Sequence, residues 1–262
     1  MKYPFSPAIL DVLPDELAEL FRGLENTLLQ EICSRLKIAD QLNEVTVADV
    51  KALRSHGIDI EDIEKAISET TGIGRGKLDK LLDDVVARNQ AYYAELIDIN
   101  KVTAPAVLLS AATVDAIRRQ AQREYSNITR SMGFLVDNGR TMLPPTKAYQ
   151  WVLDSAILQI ESGAIPYNQA IASAVKQLAD SGIKTVDYES GHADQIDVAV
   201  RRATMTGVNQ LNRQYAIRSM DYLGTDLVEV SAHIGARNTD GPNGWENHQR
   251  WQGKIYRWNG RR

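Results

Sequence analysis

The chain has 262 residues, of which 44% are hydrophobic and 24% charged, and its formal net charge is −4. These values are typical of a globular protein with one large or two modest domains, and they exclude a disordered chain, a collagen-like repeat and a disulfide-dependent mini-protein. No stretch approaches 18 uninterrupted apolar residues, and the first residues lack the apolar core of a signal peptide. We therefore expect a soluble, non-secreted protein that does not bind membranes.

Cys33 is the single cysteine, so no internal disulfide can form. It lies between Ile32 and Leu36 in a helical pattern, which favours a small core residue. A catalytic thiol is the alternative, although no neighbouring residue predicts an activated thiolate.

Charged and aromatic residues are distributed unevenly. Residues 201–262 contain ten Lys or Arg against five Asp or Glu, a net charge of +5, whereas residues 1–200 carry −9. Trp245, Trp251 and Trp258 all lie in the last 30 residues. Basic and aromatic residues are typical of binding surfaces, so this region is a candidate contact surface. A small β-rich subdomain with tryptophans in its core is the alternative.

The first hundred residues predict helices and no strand. One helix runs from Asp15 to about Lys37, a short one follows Thr46, and a third spans about residues 59–71. The segment Gly-Ile-Gly-Arg-Gly-Lys at 72–77 then predicts a flexible connector before another helix. A phosphate-binding loop is the alternative, but the segment follows a helix and lacks the Lys-Ser/Thr pair of known phosphate loops.

The middle of the chain predicts further helices and one strand. A helix capped by Thr113 ends near Gly133, a loop covers residues 134–145, and helices follow over about 147–163 and 167–180. Residues 183–188 are rich in β-branched side chains and predict a short strand. The loss of charge and the proline near residue 105 favour two domains, residues 1–105 and 106–262.

The C-terminal part predicts a long helix, from His192 to Leu223, beside a β-hairpin over residues 226–258. Four polar residues recur on one side of this helix with few acidic partners nearby: Arg201, Arg202, Thr204 and Asn209. We expect them to bind the hairpin, through Glu229 and the backbone carbonyls. The predicted fold class is α+β, predominantly α-helical, with a helical N-terminal half followed by a long helix packed on a small C-terminal β-hairpin or sheet.

The C-terminal sequence also resembles a known family. The run RRATMTGVNQLNRQYAIRSMDYLGTDLVEVSAHIGAR at 201–237, followed by HQRWQGKIY at 248–256, resembles the core of the phage minor capsid protein 2 family, kin to the Mu F-like head-morphogenesis proteins. The resemblance covers about residues 145–258. It implies a minor capsid protein of a tailed phage or prophage, present in few copies at the portal side of the head and needed for head assembly or DNA delivery.

The resemblance also implies partners and a location. Portal and capsid proteins are the expected partners, self-association stays open, and no cofactor or metal is expected. The protein would reside in the virion, and in the host cytoplasm during assembly.

Two sets of residues are candidate functional sites. The contact set comprises Arg201, Arg202, Thr204, Asn209, Trp251, Gln252, Lys254, Tyr256 and Trp258. Trp251, Tyr256 and Trp258 are the expected anchors of a protein contact, with core packing or base stacking as alternatives. If the protein were instead a nuclease-like or transferase-like enzyme, a second set would line an anion-binding cleft: His233, Glu229, Arg237 and His248.

Metal and DNA binding are both disfavoured. Glu229 and His233 are four residues apart on one strand, about 13 Å, which is too far to share a metal ion. No HExxH or CxxC motif is present. We therefore expect a protein that is not an enzyme. A DNA-binding module is the remaining alternative because the last 62 residues are net positive, but the acidic first 200 residues predict only weak DNA binding.

Overall fold

The computed structural model describes residues 4–40, 60–137, 139–162, 167–186, 193–232, 236–242 and 246–258. The helices are α1 (Pro7–Val12), α2 (Asp15–Asp40), α3 (Ile60–Ile99), α4 (Ala111–Arg130), α5 (Pro145–Glu161), α6 (Tyr167–Ser181) and α7 (Ile196–Leu223). The strands are β1 (Met132–Val136), β2 (Thr141–Leu143), β3 (Ile183–Val186), β4 (Ala193–Gln195), β5 (Leu227–Glu229) and β6 (Ile255–Arg257). The predicted class, α+β and predominantly helical, is confirmed.

The strands form two antiparallel sheets, and the chain forms two compact units. One sheet has the strand order β2-β1-β3-β4, and the other pairs β5 with β6. The sheet unit comprises Asp15–Asp79 and Ala121–Thr204. The hairpin unit comprises Met1–Pro14, Lys80–Gln120 and Met205–Arg262. Both units take segments from each side of residue 105, and the division into residues 1–105 and 106–262 stays a prediction.

The core of the sheet unit lies among α2, α5, α6 and strand β1. Phe21, Phe134, Leu153 and Leu178, one from each of these elements, are fully buried. Tyr125 of α4 meets Phe21 edge to face, with ring centroids 5.8 Å apart. These large apolar side chains supply the main driving force for folding of this unit, at about 1.5–3 kcal/mol for each buried aliphatic or phenylalanine side chain.

Two pairs of buried hydroxyl groups add specific contacts to this core. Tyr125 donates a hydrogen bond to Thr204 of α7, which itself donates to the carbonyl oxygen of Val200 at 2.8 Å. The hydroxyl groups of Ser131 and Thr185 bind each other between the end of α4 and strand β3. Because a buried polar group without a partner costs about 1–3 kcal/mol, these pairs favour one arrangement of α4 against α7 and β3.

Residues 72–77 lie inside helix α3, so the predicted connector was wrong and the phosphate-loop alternative falls with it. The helix is buried on both sides of this segment, at Ile63 and Leu78, which outweighs the penalty of about 1 kcal/mol for each helical glycine. Gly74 faces Phe21, and a Cβ at this position would lie 2.9 Å from the ring carbon Cε2. The glycine therefore permits a close approach of α2 and α3.

Alanine substitutions at the three glycines of this segment should change the free energy of unfolding in different directions. Gly72→Ala and Gly76→Ala should each raise the free energy of unfolding by about 0.5–1 kcal/mol, because both positions are helical and a new Cβ would meet nothing within 4 Å. Gly74→Ala is the matched comparison and should lower it, since its Cβ would press on Phe21. Urea denaturation measures the free energy of unfolding of all three variants. An equal increase at all three positions would contradict the close approach of α2 and α3.

Strands β1, β2 and β4 lie where the sequence predicts other structure. The loop expected over 134–145 was wrong because residues 132–136 pair with both β2 and β3. The turn between β1 and β2 has left-handed backbone at Asp137 and Gly139, so the Asp-Asn-Gly sequence was an available hairpin signal. Strand β4 pairs with β3, with Asp194 opposite Thr185, and helix α7 therefore begins at Ile196.

Gly133 is required by the pairing of β1 with β2. A Cβ on this residue would lie 2.8 Å from the carbonyl carbon of Leu143 and still closer to its oxygen. A side chain at this position would therefore push the backbone of β2 away from β1.

Three further predictions concern helix ends and the cysteine. Helix α4 is capped by Ser110 and not by Thr113, because the Oγ of Ser110 accepts a hydrogen bond from the N–H of Thr113 at 3.2 Å. The short helix after Thr46 lies outside the described residues. Cys33 is on helix α2. Its side chain, which the sequence predicts to be buried, is not among those that the structure describes.

The core of the hairpin unit is built around Tyr215 of α7. Tyr215 packs with Ile97, Leu108 and Leu109, and the Tyr93 ring stacks on it with centroids 6.4 Å apart. Burial raises the pKa of Tyr93 to about 12 and also raises the pKa of Tyr215. Both hydroxyl groups therefore stay protonated at neutral pH.

A buried amide pair joins α3 to α7 in the same unit. Asn89 is fully buried, and its Nδ2 donates to the Oδ1 of Asn212 at 2.7 Å and to the carbonyl oxygen of Val85 at 2.8 Å. The pair favours one register of the two helices, because sliding one along the other would leave buried amide groups without these bonds.

Candidate functional site

Strands β5 and β6 form the hairpin that the sequence predicts. In their register Leu227 is opposite Arg257, Val228 is opposite Tyr256 and Glu229 is opposite Ile255. Backbone hydrogen bonds extend the pairing by one residue at each end, from the Trp258 N–H to the Asp226 carbonyl and from the Val230 N–H to the Lys254 carbonyl. Gly253 has a φ of 64°, in the left-handed region that glycine adopts without strain, and returns the chain to β6.

The inner face of this hairpin is partly covered. Successive side chains of a strand point to opposite faces, so Val228 and Tyr256 share one face, and both are half-buried. Trp258 continues this side of the strand, and the guanidinium of Arg213 on α7 lies 5.6 Å from its ring centroid. This cation–π contact attaches the end of β6 to the long helix.

The outer face of the hairpin is exposed. We define it as Leu227, Glu229, Ile255 and Arg257, all of which are exposed. Ile255 is 68% exposed and Leu227 is 50% exposed. Apolar side chains grouped on one exposed face are typical of a protein contact, whereas single exposed apolar residues are ordinary.

The three predicted anchors have different environments. Trp251 is 40% exposed, and its ring centroid lies 5.5 Å from that of Tyr256. Trp258 is 38% exposed and contacts Arg213. The structure therefore brings Trp251 and Tyr256 together and places Trp258 against the helix, while Trp245 lies outside the described residues.

The remaining hairpin members of the contact set lie in the turn and at the start of β6. Gln252 is half-buried in the turn, and Lys254 is exposed beside β6. Leu227 and Ile255 are absent from the predicted contact set. The sequence contains a pattern that indicates their exposure. Both residues share a strand face with charged residues in a two-stranded ribbon, and such a face is typically in solvent.

Three helix members of the contact set have partners in the sheet unit. Arg201 forms an ion pair with Asp15, and Arg202 forms one with Asp194 at 2.7 Å. Thr204 binds Tyr125, as described above, and Asn209 is exposed. Helix α2 and strand β4 supply these carboxylates within the sheet unit, and the expected binding of the four residues to the hairpin through Glu229 stays a prediction.

Three members of the second predicted set lie in the described part of the chain, and the gathering of the whole set into a cleft stays a prediction. Glu229, Arg237 and His248 are all exposed, and His233 lies outside the described residues. Within the described ranges, no group of three or more His, Cys, Asp or Glu side chains could hold a metal ion. An open depression of about 610 Å³ in the hairpin unit is lined by Ala94, Glu95, Asp98, Lys101, Val102, Thr103 and Ala104, none of which belongs to either predicted set.

The fold and the surface together describe a mostly helical α+β protein with an exposed hairpin face. The model of a family described as phage minor capsid protein 2 matches residues 5–262, so the chain belongs to this family. The comparison with curated proteins and the comparison with solved structures each give no match. Membership supports a structural role in the phage head and a location in the virion, and it favours a protein that is not an enzyme.

No helix in the part of the chain that the structure describes is long and apolar enough to cross a bilayer.

Proposed function

We propose that this protein acts in virion assembly or DNA delivery of a tailed phage by binding the portal and coat proteins at the portal side of the head. It would be present in the host cytoplasm while heads assemble. The family match over residues 5–262 carries this proposal, because it assigns nearly the whole chain to minor capsid proteins.

The outer face of the hairpin is the proposed contact with these partners. Leu227 and Ile255 keep much of their surface in water, and covering each would contribute up to about 1.5–3 kcal/mol before the costs of association. Glu229 and Arg257 on the same face would select a partner of complementary charge. Trp251 would extend the contact from the neighbouring turn, since large aromatic side chains dominate interface energies.

Tyr256 and Trp258 would hold the hairpin in position for this contact. Tyr256 is half-buried against Trp251, and Trp258 lies against Arg213 of α7. A hairpin held in this way loses less conformational entropy when a partner binds.

The contact is tested by the double variant Leu227→Thr with Ile255→Thr. Threonine has the β-branched shape that strands favour, and it removes most of the aliphatic surface at both positions. We expect the free energy of unfolding to change by no more than about 0.5 kcal/mol per site, because both residues are exposed. Co-purification with the portal protein, and incorporation into heads in a complementation assay, should be lost.

Leu158→Gln is the matched control for this experiment. Leu158 is 68% exposed on helix α5, so the change removes an apolar side chain as exposed as Ile255 from another part of the surface. We expect normal incorporation of this variant. A folded double variant that still binds portal and coat proteins would refute the contact surface, and absence of the wild-type protein from purified virions would refute the head function itself.

DNA binding is expected to be weak in the full chain. The basic residues 201–262 carry +5, but residues 1–200 carry −9 and would repel phosphate. Each phosphate contact adds about 0.9 to the slope of log affinity against log salt concentration, so the few contacts of a basic segment are lost near physiological salt. Fluorescence anisotropy with duplex DNA measures this, and a sub-micromolar Kd at physiological salt would favour the DNA-binding alternative.

A further inference from the structure

We propose that two copies of this chain pair through the open edge of strand β6, and that the two hairpins then form one four-stranded antiparallel sheet. The second copy binds the backbone edge of the hairpin, whereas portal and coat proteins are proposed to bind its outer face. The inference therefore does not depend on the identity of the phage partners.

The hydrogen-bond pattern of the hairpin identifies the open edge. Residues 226 and 258 are joined by a backbone hydrogen bond, as are residues 230 and 254. Hydrogen-bonded and non-hydrogen-bonded pairs alternate along an antiparallel ladder. The pair of Ile255 with Glu229 and the pair of Arg257 with Leu227 are therefore of the non-hydrogen-bonded kind.

The N–H and C=O groups of Ile255 and Arg257 consequently point away from β5. Within the described ranges, β6 pairs with β5 alone. A strand edge of this kind is a template for pairing with another chain. The corresponding edge of β5 is partly occupied, because the N–H of Leu227 donates to the Oγ1 of Thr225 at 3.2 Å.

Strand β6 is complementary to its own copy. A two-fold axis at Tyr256 places Ile255 of each copy opposite Arg257 of the other, and these two pairs would exchange four backbone hydrogen bonds. Tyr256 would face Tyr256 of the second copy in a non-hydrogen-bonded pair. The residues whose backbone groups point outward are thus the ones that the axis brings together.

The positions of the positive charges favour this register. Strand β6 and its neighbours carry two positive charges, Lys254 and Arg257, so a second strand must place apolar, aromatic or acidic residues opposite them. The axis at Tyr256 does so, with Ile255 opposite Arg257 and Trp258 opposite Lys254. A register centred on Arg257 would oppose two like charges, which destabilises a strand pair.

The pairing would enlarge the exposed outer face. The four-stranded sheet would carry two copies each of Leu227 and Ile255 on one continuous face, so the larger face would remain available to a partner in the head. A three-residue edge buries far less than a standard interface, so we expect weak association that strengthens where copies are held close together.

Cysteine cross-linking tests the register. In a non-hydrogen-bonded antiparallel pair the Cα atoms lie about 4.5 Å apart, within the range that a disulfide spans. In a Cys33→Ser background, Tyr256→Cys should form a disulfide-linked dimer under mild oxidation. Ile255→Cys is the matched control and should form little dimer, because the axis places it opposite Arg257. Equal cross-linking of both variants, or none with Tyr256→Cys folded as judged by its Tm, would overturn the proposed register.

A second measurement needs no variant. We expect the weight-average mass of the wild-type protein in sedimentation equilibrium to rise as the protein concentration approaches about 1 mM. An interface smaller than the standard size gives a weak dimer, which forms only at high concentration. Hydrogen exchange at the amides of Ile255 and Arg257 should slow over the same range, and exchange at Glu229 should not. A protein that stays monomeric throughout, or protection confined to β5, would overturn the pairing.

Discussion

Raising the pH from 9 to 12 should strongly destabilise the folded protein, because four of its tyrosines resist deprotonation while folded. Burial is the largest cause of the raised pKa of Tyr92, Tyr93, Tyr125 and Tyr215, and the nearby carboxylate of Glu229 adds to the effect at Tyr92. In the unfolded chain a tyrosine ionises near pH 10. Above that pH the folded state holds more protons than the unfolded state, so stability falls as the pH rises.

Tyr93 gives the scale of this effect. Its pKa of about 12 lies roughly two units above the unfolded value, and each unit corresponds to about 1.4 kcal/mol. Tyr93 alone therefore accounts for about 3 kcal/mol of the free energy of unfolding. This contribution is fully present below pH 10 and is lost above pH 12. The other three tyrosines add to the loss in the same direction.

Urea denaturation at a series of pH values measures this loss. Tyr93→Phe removes one titrating group, so the decline between pH 10 and 12 should become shallower in this variant. Tyr222→Phe, at an exposed tyrosine of α7, is the comparison for the loss of a phenol hydroxyl group as such. A free energy of unfolding that stays constant from pH 10 to 12 would show that the folded protein ionises these tyrosines freely.

Gly133→Ala should lower the free energy of unfolding by about 3 kcal/mol, the upper range for inserting one carbon into a close-packed site. The new Cβ would lie 2.8 Å from the carbonyl carbon of Leu143, and backbone atoms cannot rotate aside as a side chain can. The strain would separate β2 from β1 at the edge of the four-stranded sheet.

Chemical denaturation and hydrogen exchange together test this result. Amides of β2 should exchange faster in Gly133→Ala, while those of β3, on the other side of β1, should change less. Gly72→Ala provides a control for the loss of a glycine as such, because its expected effect has the opposite sign. An unchanged free energy of unfolding in Gly133→Ala would mean that β2 moves aside without an energetic cost.

Local sequence patterns predict most of the helices. The apolar spacing over residues 15–37, 147–163 and 167–180 corresponds to α2, α5 and α6, because each helix buries a continuous stripe. The break expected at residues 72–77 was wrong because contacts distant in sequence, such as Gly74 against Phe21, override the low helix propensity of glycine. Strands β1, β2 and β4 were missed for a related reason, since short strands gain their stability from partners elsewhere in the chain.

The candidate surface was predicted in outline. Alternating side chains and clustered aromatic residues indicate a C-terminal hairpin, and β5 pairs with β6 as expected. Leu227 and Ile255 were overlooked in favour of Tyr256 and Trp258 because the prediction was based on the aromatic residues and not on the alternation of side chains along the ribbon. The partners of Arg201 likewise depend on a segment nearly 190 residues away, at Asp15, which no local pattern identifies.

The interleaved composition of the two units sets an order for folding during synthesis. The sheet unit is complete once Thr204 has left the ribosome, whereas the hairpin unit also needs the segment that begins at Met205. Until Tyr215 emerges, Ile97 and Leu108 lack the ring that covers them. A nascent chain therefore exposes this apolar surface through the synthesis of more than a hundred residues, which makes chaperone binding most valuable in that interval. The hairpin is made after α7, so it becomes available for contacts only when its supporting helices can already fold.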